Sequence, residues 1–277
     1  MQITNESLSA YEAYLRAEER GAGTIEKYLR DVRAFAGWLG GQNITKEAAG
    51  AWREHLLQDH APVTVNSMLS ALNSFFRFAG QEECRVKFLK VQRKLFREQS
   101  KELTRRDYDC LLAAARASGQ ERLALLMETI CATGIRVSEV KFITTEALEK
   151  GRTDIALKGK IRTILLPGRL CRKLLKYAKK QKIVSGGIFL TGNGTPLSRK
   201  QIWAEMKRLC KKAGVEATKV FPHNLRHLFA RVFYKASRDV AKLADVLGHS
   251  SIETTRIYLI STGVEHARQL DRLGLIC

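Results

Sequence analysis

No apolar run approaches the roughly 18 residues that would span a bilayer. The opening residues, MQITNESLSAYEAYL, lack the basic-then-apolar order of a secretory leader. The six cysteines (Cys84, Cys110, Cys131, Cys171, Cys210 and Cys277) form no Cys-x-x-Cys and no close pair. A zinc finger and a disulfide scaffold are thereby excluded, and reduced thiols in a cytoplasmic protein are expected. There is no internal repeat and no low-complexity tract. Acidic residues are in short supply, 28 against 48 Lys and Arg, for a net charge of +20. What remains is 277 residues, 45% hydrophobic and 27% charged, a globular composition with room for two domains.

The shortage of acid is not uniform. Residues 1–92 hold 11 basic and 11 acidic residues, residues 93–101 hold 4 and 1, and residues 102–277 hold 33 and 16. An excess confined to one part of the chain favours a polyanionic partner, most often nucleic acid, over a merely solubilising surface.

Helical periodicity dominates the first ninety residues. Ile25, Tyr28, Leu29, Val32, Phe35, Ala36 and Leu39 share one face of a helix expected from Thr24, taken as its N-cap, to Leu39 before Gly40-Gly41. Val65, Leu69, Leu72, Phe75 and Phe76 mark another, from Val63 to Phe78. Two shorter helices, Ser7 to about Glu19 and Lys46 to about Gln58, complete a small bundle. Arg93–Lys101 is basic and aperiodic, the composition of a linker. Beyond it Thr104 and Asp107 have the spacing of a capping box. Asp154–Leu157 and Ile161–Leu166 flank Lys158-Gly159-Lys160 as a β-hairpin. Helices are expected again at Leu170–Gln181, Arg199–Ala213 (Ser198 as N-cap, Gly214 as stop), Asn224–Ala236, Asp239–Leu247, Ile252 to about Leu259, and Val264–Leu273. The fold class is mainly α with one small β-sheet: a helical N-terminal bundle, residues 1–92, a linker at 93–101, and a mixed α+β domain, residues 102–277.

Four clusters carry chemistry. In ATGIRVSE, Arg136 and Glu139 stand one helical turn apart, so the carboxylate can orient the guanidinium; alone, this is an ordinary ion pair. The basic turn at Lys158 and Lys160 can enter a DNA groove, or be a solvated turn. In PHNLRH, His223 and Arg226 project from one face at a helix start, where the dipole and free N–H groups favour phosphate. His223 and His227 have the spacing of a zinc pair, but no nearby third ligand exists and Arg226 would repel a cation, so no metal is expected. In LGHSSIETTRIY, His249 follows a glycine, Ser250 or Ser251 caps the next helix, and Tyr258 is expected within that helix, a place usually held by a packing residue.

Together, two Arg, two His, one Lys and one Tyr fit transesterification of a phosphodiester. A phenol attacks phosphorus and a deoxyribose hydroxyl leaves. Tyrosine ionises only near pH 10 in water, so a base or cationic field must assist. Charge developing on the phosphorane needs fixed forked donors, which Arg supplies, and the departing oxygen needs an acid such as Lys.

ATGIRVSE, KGK, HNLRH, LGHSS and TTRIY, in this order, resemble the motifs of the tyrosine recombinases, or phage-type integrases. The layout is similar to the simple two-domain members, the Xer recombinases and small transposon integrases. The likeness is strong over 102 to about 262; TIEKYLRDVRAFAGWL and TVNSMLSALNSFFRFAG resemble, more weakly, the helical core-binding domain. The resemblance implies that Arg136 and Arg226 clamp the scissile phosphate, that Lys158 protonates the leaving 5′ oxygen, and that His223 is general base and acid toward Tyr258. It further implies that His249 hydrogen-bonds the phosphate, that Tyr258 is the nucleophile of a 3′-phosphotyrosine link, and that Glu139 supports the site; His227 is normally structural. The turn here is compressed relative to the family, which leaves Lys160 as the alternative catalytic lysine; Lys158 is favoured because it is expected to end the first strand.

The same resemblance implies no cofactor, no metal and no ATP. The expected partner is double-stranded DNA with inverted-repeat core sites, clamped by the two domains and recombined by a homotetramer through a Holliday junction. Ala267, Leu270, Leu273 and Ile276 give the tail an apolar face expected to dock into a neighbouring protomer. DNA contacts are expected from Arg93, Lys94 and Arg97 of the linker and from Lys27, Arg30 and Arg33 if the cations of residues 1–92 are gathered on one face. A type IB topoisomerase, a non-catalytic sequence-specific DNA-binding protein and an RNA-binding basic protein are the rival readings.

Overall fold

In a computed structural model of the chain, which describes residues 1–91, 99–157, 160–249, 251–258 and 271–272, two compact units emerge, Met1–Arg93 and Lys94–Cys277. The described residues are mainly helical, with one antiparallel pair of strands.

The first unit is built from α1 (Asn5–Ala17), α2 (Ala22–Leu39), α3 (Lys46–Asp59) and α4 (Pro62–Phe78). Its apolar stripes converge as their spacing requires: Tyr11, Val32, Phe35, Leu69, Phe75 and Phe76 are essentially solvent-free. Each such side chain contributes about 1.5–3 kcal/mol on removal from water. Thr24 is not the N-cap of α2. The helix starts two residues earlier, with Gly21 extended at the cap and the Thr24 N–H donating to the Gly21 carbonyl. Pro62 starts α4, where a missing N–H costs nothing. Asn66 and Asn73 of α4 each hold a residue of the segment that follows by a reciprocal pair of bonds, Asn66 to Leu89 and Asn73 to Val86. The charge of this unit is partly spent internally, because Lys27 and Arg30 both bond the buried carboxylate of Asp31 while Arg33 is exposed. Arg93, Lys94 and Arg97 lie outside the described residues.

The second unit starts with a pinned segment. Glu102 pairs with Arg231, and Asn224 donates to the Lys101 carbonyl. Thr104 and Asp107 close the expected capping box on α5 (Arg105–Ala117). Next comes α6 (Glu121–Thr133), a helix without an expectation above. Leu123 through Met127, Thr129, Ile130 and Thr133 are all buried, so it is apolar almost all round and shows no amphipathic stripe. Then come a 3₁₀ turn, Val137–Phe142, and α7 (Thr145–Lys150). The hairpin β1 (Arg152–Leu157) and β2 (Lys160–Leu165) pairs in register from Arg152–Leu165 to Leu157–Lys160. The strand β1 thus ends at Leu157, Lys160 is the first residue of β2, and Lys158 falls outside the described residues. Helices α8 (Gly168–Lys180), α9 (Arg199–Ala213, capped by Ser198 and Gly214 as expected), α10 (Pro222–Ser237), α11 (Val240–Leu247) and α12 (Ile252–Arg256) complete it. Ser251, not Ser250, is the cap of α12 on the described residues. Tyr258 is not inside that helix. The helix closes at Arg256, and the Tyr258 N–H turns back to the Thr255 carbonyl, three residues behind. Of the expected tail helix only residues 271–272 are described. Among the described residues no helix is long and apolar enough to cross a membrane.

Candidate active site

Two glycines set the stage. Gly134 ends α6 and Gly248 ends α11, both in the left-handed region at φ +66° and +62°. A glycine adopts this without the penalty a Cβ brings. Each also carries a close neighbour: a Cβ on Gly134 would overlap the Phe229 ring, and one on Gly248 would overlap the Arg162 side chain. The chain leaves α6 through buried Ile135 and delivers Arg136 to the start of the 3₁₀ turn. There Glu139 accepts twice from Arg136, from the backbone N–H at 2.7 Å and from Nη1 at 2.9 Å. The i, i+3 pairing expected from sequence is therefore present. Arg136 Nη2 donates to the Gly248 carbonyl at 3.3 Å, and the side chain remains 41% exposed.

His223 and Arg226 come from the first turns of α10, and their surroundings differ sharply. His223 is exposed, whereas Arg226 is 2% exposed. A guanidinium so deeply placed must spend its N–H groups on acceptors. Arg226 donates Nη1 to the Gly134 carbonyl and Nη2 to the Leu247 carbonyl at 2.8 Å, and Nε to the Tyr258 hydroxyl at 3.4 Å. Its Nη2 also meets His249 Nε2 at 3.0 Å. Because Arg can only donate, His249 Nε2 is the acceptor, and the imidazole proton sits on Nδ1, 2.9 Å from Thr255 Oγ1. Desolvation and the cations Arg226, Arg136 and Arg162 push the His249 imidazole down to about 4, so it is neutral near pH 7. Burial likewise pushes the Arg226 and Arg162 guanidiniums below their ordinary value; both stay cationic.

Tyr258 is 3% exposed and still forms part of the cleft wall. Its ring is nearly parallel to that of His249, 5.7 Å between centroids, and tilted against His227 at 4.4 Å; His223 is farther, at 6.2 Å. His227, the histidine set aside above, is thus the nearer ring. Arg136, His223, Arg226, His249 and Tyr258 line one cleft of about 1170 Å³. The walls also include Arg199, Lys200 and Trp203 from the first turns of α9. Sequence reasoning missed these three; the i, i+4 spacing of Arg199 and Trp203 at a capped helix start was the available signal. Trp203 is 51% exposed, with Lys207 Nζ 5.3 Å from its ring centre.

Glu139, 3% exposed, holds two guanidiniums, Arg136 and Arg162, the latter through Nη2 at 2.5 Å, and a third, Arg226, lies close enough for their charges to act on it. The surplus positive charge faces a cleft with forked donors, the arrangement that an anion of phosphate geometry completes. Among the described residues no group of His, Cys, Asp and Glu is placed to hold a metal.

Residues 101–263 match the phage integrase family, and residues 8–83 match the phage integrase N-terminal SAM-like domain. The chain is 30% identical to the tyrosine recombinase XerA of Thermococcus kodakarensis, over 97% of this chain and 95% of that one. It is 27% identical to XerD of Halalkalibacterium halodurans, over 98% and 97%. Among solved structures, a lambda integrase dimer bound to a COC' core site has a TM-score of 0.75 at 20% identity, covering 92% of this chain and 94% of that one. XerH bound to its difH substrate has a TM-score of 0.69 at 20% identity, covering 96% and 84%. The structural likenesses establish the fold.

Proposed function

This chain belongs to the phage integrase family, and on that premise we propose that it is a tyrosine-type site-specific recombinase that cuts and rejoins DNA through Tyr258. The observation that carries the reading is the meeting of the Tyr258 hydroxyl with Arg226 Nε at 3.4 Å in a cleft also walled by Arg136, His223 and His249. A scissile phosphate entering there replaces the phenol and the imidazole as acceptors for Arg226 and takes the exposed fork of Arg136. Tyr258 Oη attacks phosphorus, its proton passes to His223, and the 5′ oxygen leaves with a proton from Lys158, or from Lys160 in its place. This requires His223 to close on Tyr258 from the present 6.2 Å ring separation when DNA binds. A 5′-hydroxyl from a second strand then attacks the phosphotyrosine and reverses each transfer, so the energy of the broken bond is kept and ATP is not needed.

By analogy with lambda integrase, seen as a dimer on a core site and as a tetramer on a Holliday junction, protomers pair on inverted repeats and exchange strands in two steps. The DNA contacts proposed for Lys27, Arg30, Arg33, Arg93, Lys94 and Arg97 serve this binding, as does a site of action at the nucleoid. The 264–277 segment would pack against a neighbouring protomer in the assembled tetramer. The test is covalent capture: wild-type and Tyr258→Phe protein are mixed with fragmented genomic DNA of the source cell, denatured in SDS, and the retained DNA sequenced. One short inverted repeat, enriched by the wild type and lost in the variant, is the expected result. Capture without sequence preference would instead support a topoisomerase.

A further inference from the structure

We propose that Arg162, a residue outside the family-motif clusters, is the positioning residue that holds Arg136, Arg226 and His249 in mutual register. Its place in the fold makes this possible. It is the third residue of β2, with its side chain 15% exposed, and it is absent from the described residues that line the cleft. It therefore acts through other groups. Its side chain is tied to Arg136 and Arg226 through acceptors they share with it, and to His249 through the turn that precedes it. Nη2 donates at 2.5 Å to Glu139 Oε2, while the other oxygen of that carboxylate holds Arg136 Nη1. Nη1 donates to the Leu247 carbonyl, which also accepts from Arg226 Nη2. Its Cδ, Nη1 and Nε lie so close to Gly248, itself in the left-handed region, that a Cβ there would push the Arg162 side chain aside, and the Gly248 carbonyl is the second anchor of Arg136. The residue after Gly248 is His249.

The fork geometry explains why arginine stands here. Two acceptors, a carboxylate on the 3₁₀ turn and a carbonyl at the end of α11, are bridged by one rigid plane. A lysine in its place brings one compact ammonium and cannot span both. Without the bridge, Glu139 would keep only Arg136, and the end of α11 would lose the strap that fixes the Gly248 turn. A displacement of about 1 Å at donors aimed at a transition state costs on the order of a hundredfold in rate. The Coulombic sum alone does not require Arg162, since the cleft already holds Arg136 and Arg226. Its contribution is geometric.

This proposal rests on the recombinase reading, and the experiment separates the two. The substrates are nicked duplexes carrying the captured repeat, one with the natural scissile phosphodiester and one with a methylphosphonate there, which lacks one charged non-bridging oxygen. Single-turnover formation of covalent protein–DNA product is measured for wild type, Arg162→Lys and Arg162→Met, with DNA affinity and thermal melting measured alongside. Arg162→Lys, which keeps the charge, guards against a variant that merely unfolds.

Both variants should bind the natural duplex within about threefold of wild type and form covalent product about a hundredfold more slowly. On the methylphosphonate that deficit should shrink to about tenfold or less, because the neutral centre depends less on well-aimed cations. An equal deficit on the two substrates, or no deficit in Arg162→Lys, overturns the positioning role. Absence of Tyr258-dependent product from the wild type would instead defeat the recombinase reading itself.

Discussion

At the scale of single residues the cleft sets two buried groups, Arg226 and Tyr258, beside the partly exposed fork of Arg136. The Nε2 lone pair of His249 is occupied by Arg226, and desolvation, together with the neighbouring cations, holds the imidazole's ionisation near pH 4. Between the unperturbed imidazole value of about 6.5 and that depressed value, the unfolded chain binds a proton that the folded chain refuses. Stability attributable to His249 is thus fully present above about pH 6.5, falls as pH drops through this window, and levels off below it. Side-chain NMR of His249 should give a midpoint near 4 in the free protein, and a higher one once duplex phosphate fills the cleft and offsets the guanidiniums. A midpoint near 6.5 without DNA would contradict the described geometry. The pairing of Arg136 with Glu139 was legible from their i, i+3 spacing, whereas the meeting of Arg226 and Tyr258, 32 residues apart, was implied only by the resemblance to the tyrosine recombinases. Arg162 was not. In Ile161-Arg-Thr-Ile-Leu-Leu166 a cation within a strand reads as solvent-facing, and only the fold brings it to Glu139, 23 residues away.

At the scale of elements, the ends of helices rather than their middles build the cleft. Gly134 and Gly248 terminate α6 and α11, and their carbonyls hold Arg226 and Arg136. Gly134→Ala forces a Cβ into the left-handed region and onto Phe229, and should cost about 2–4 kcal/mol. Gly119→Ala is the control: its φ is equally positive, +68°, but no atom lies within 4 Å of the added carbon, so about 1 kcal/mol is expected. Denaturant melts of the two variants separate backbone strain from overlap; equal losses would show that the Phe229 contact is unimportant. Caps also governed what could be read ahead of the structure. Helix α9, bounded by Ser198 and Gly214, was legible to the residue. Helix α6 was not, because burial on nearly every side erases the period that marks a surface helix. The start of α2 was displaced because Gly21 serves as an N-cap without a side chain to announce it.

At the scale of the whole molecule, charge and chain division coincide. The basic excess begins near residue 93, where the second unit begins, and the first unit spends Lys27 and Arg30 on its own Asp31. Assembly is proposed to run through the other end of the chain. Deleting residues 264–277 should leave binding of a single repeat intact in gel-shift assays while abolishing the tetramer on paired sites; recombination at the wild-type rate would contradict that proposal.

The covalent link proposed for Tyr258 can be observed as a modified peptide. A nicked duplex bearing the captured repeat is incubated with the protein, the product is digested with nuclease and protease, and the modified peptide is sequenced by tandem mass spectrometry. The expected product is a nucleotide joined through its 3′ phosphate to the Tyr258 oxygen, with no adduct from Tyr258→Phe. An adduct on any other side chain, or one that survives in Tyr258→Phe, would contradict it.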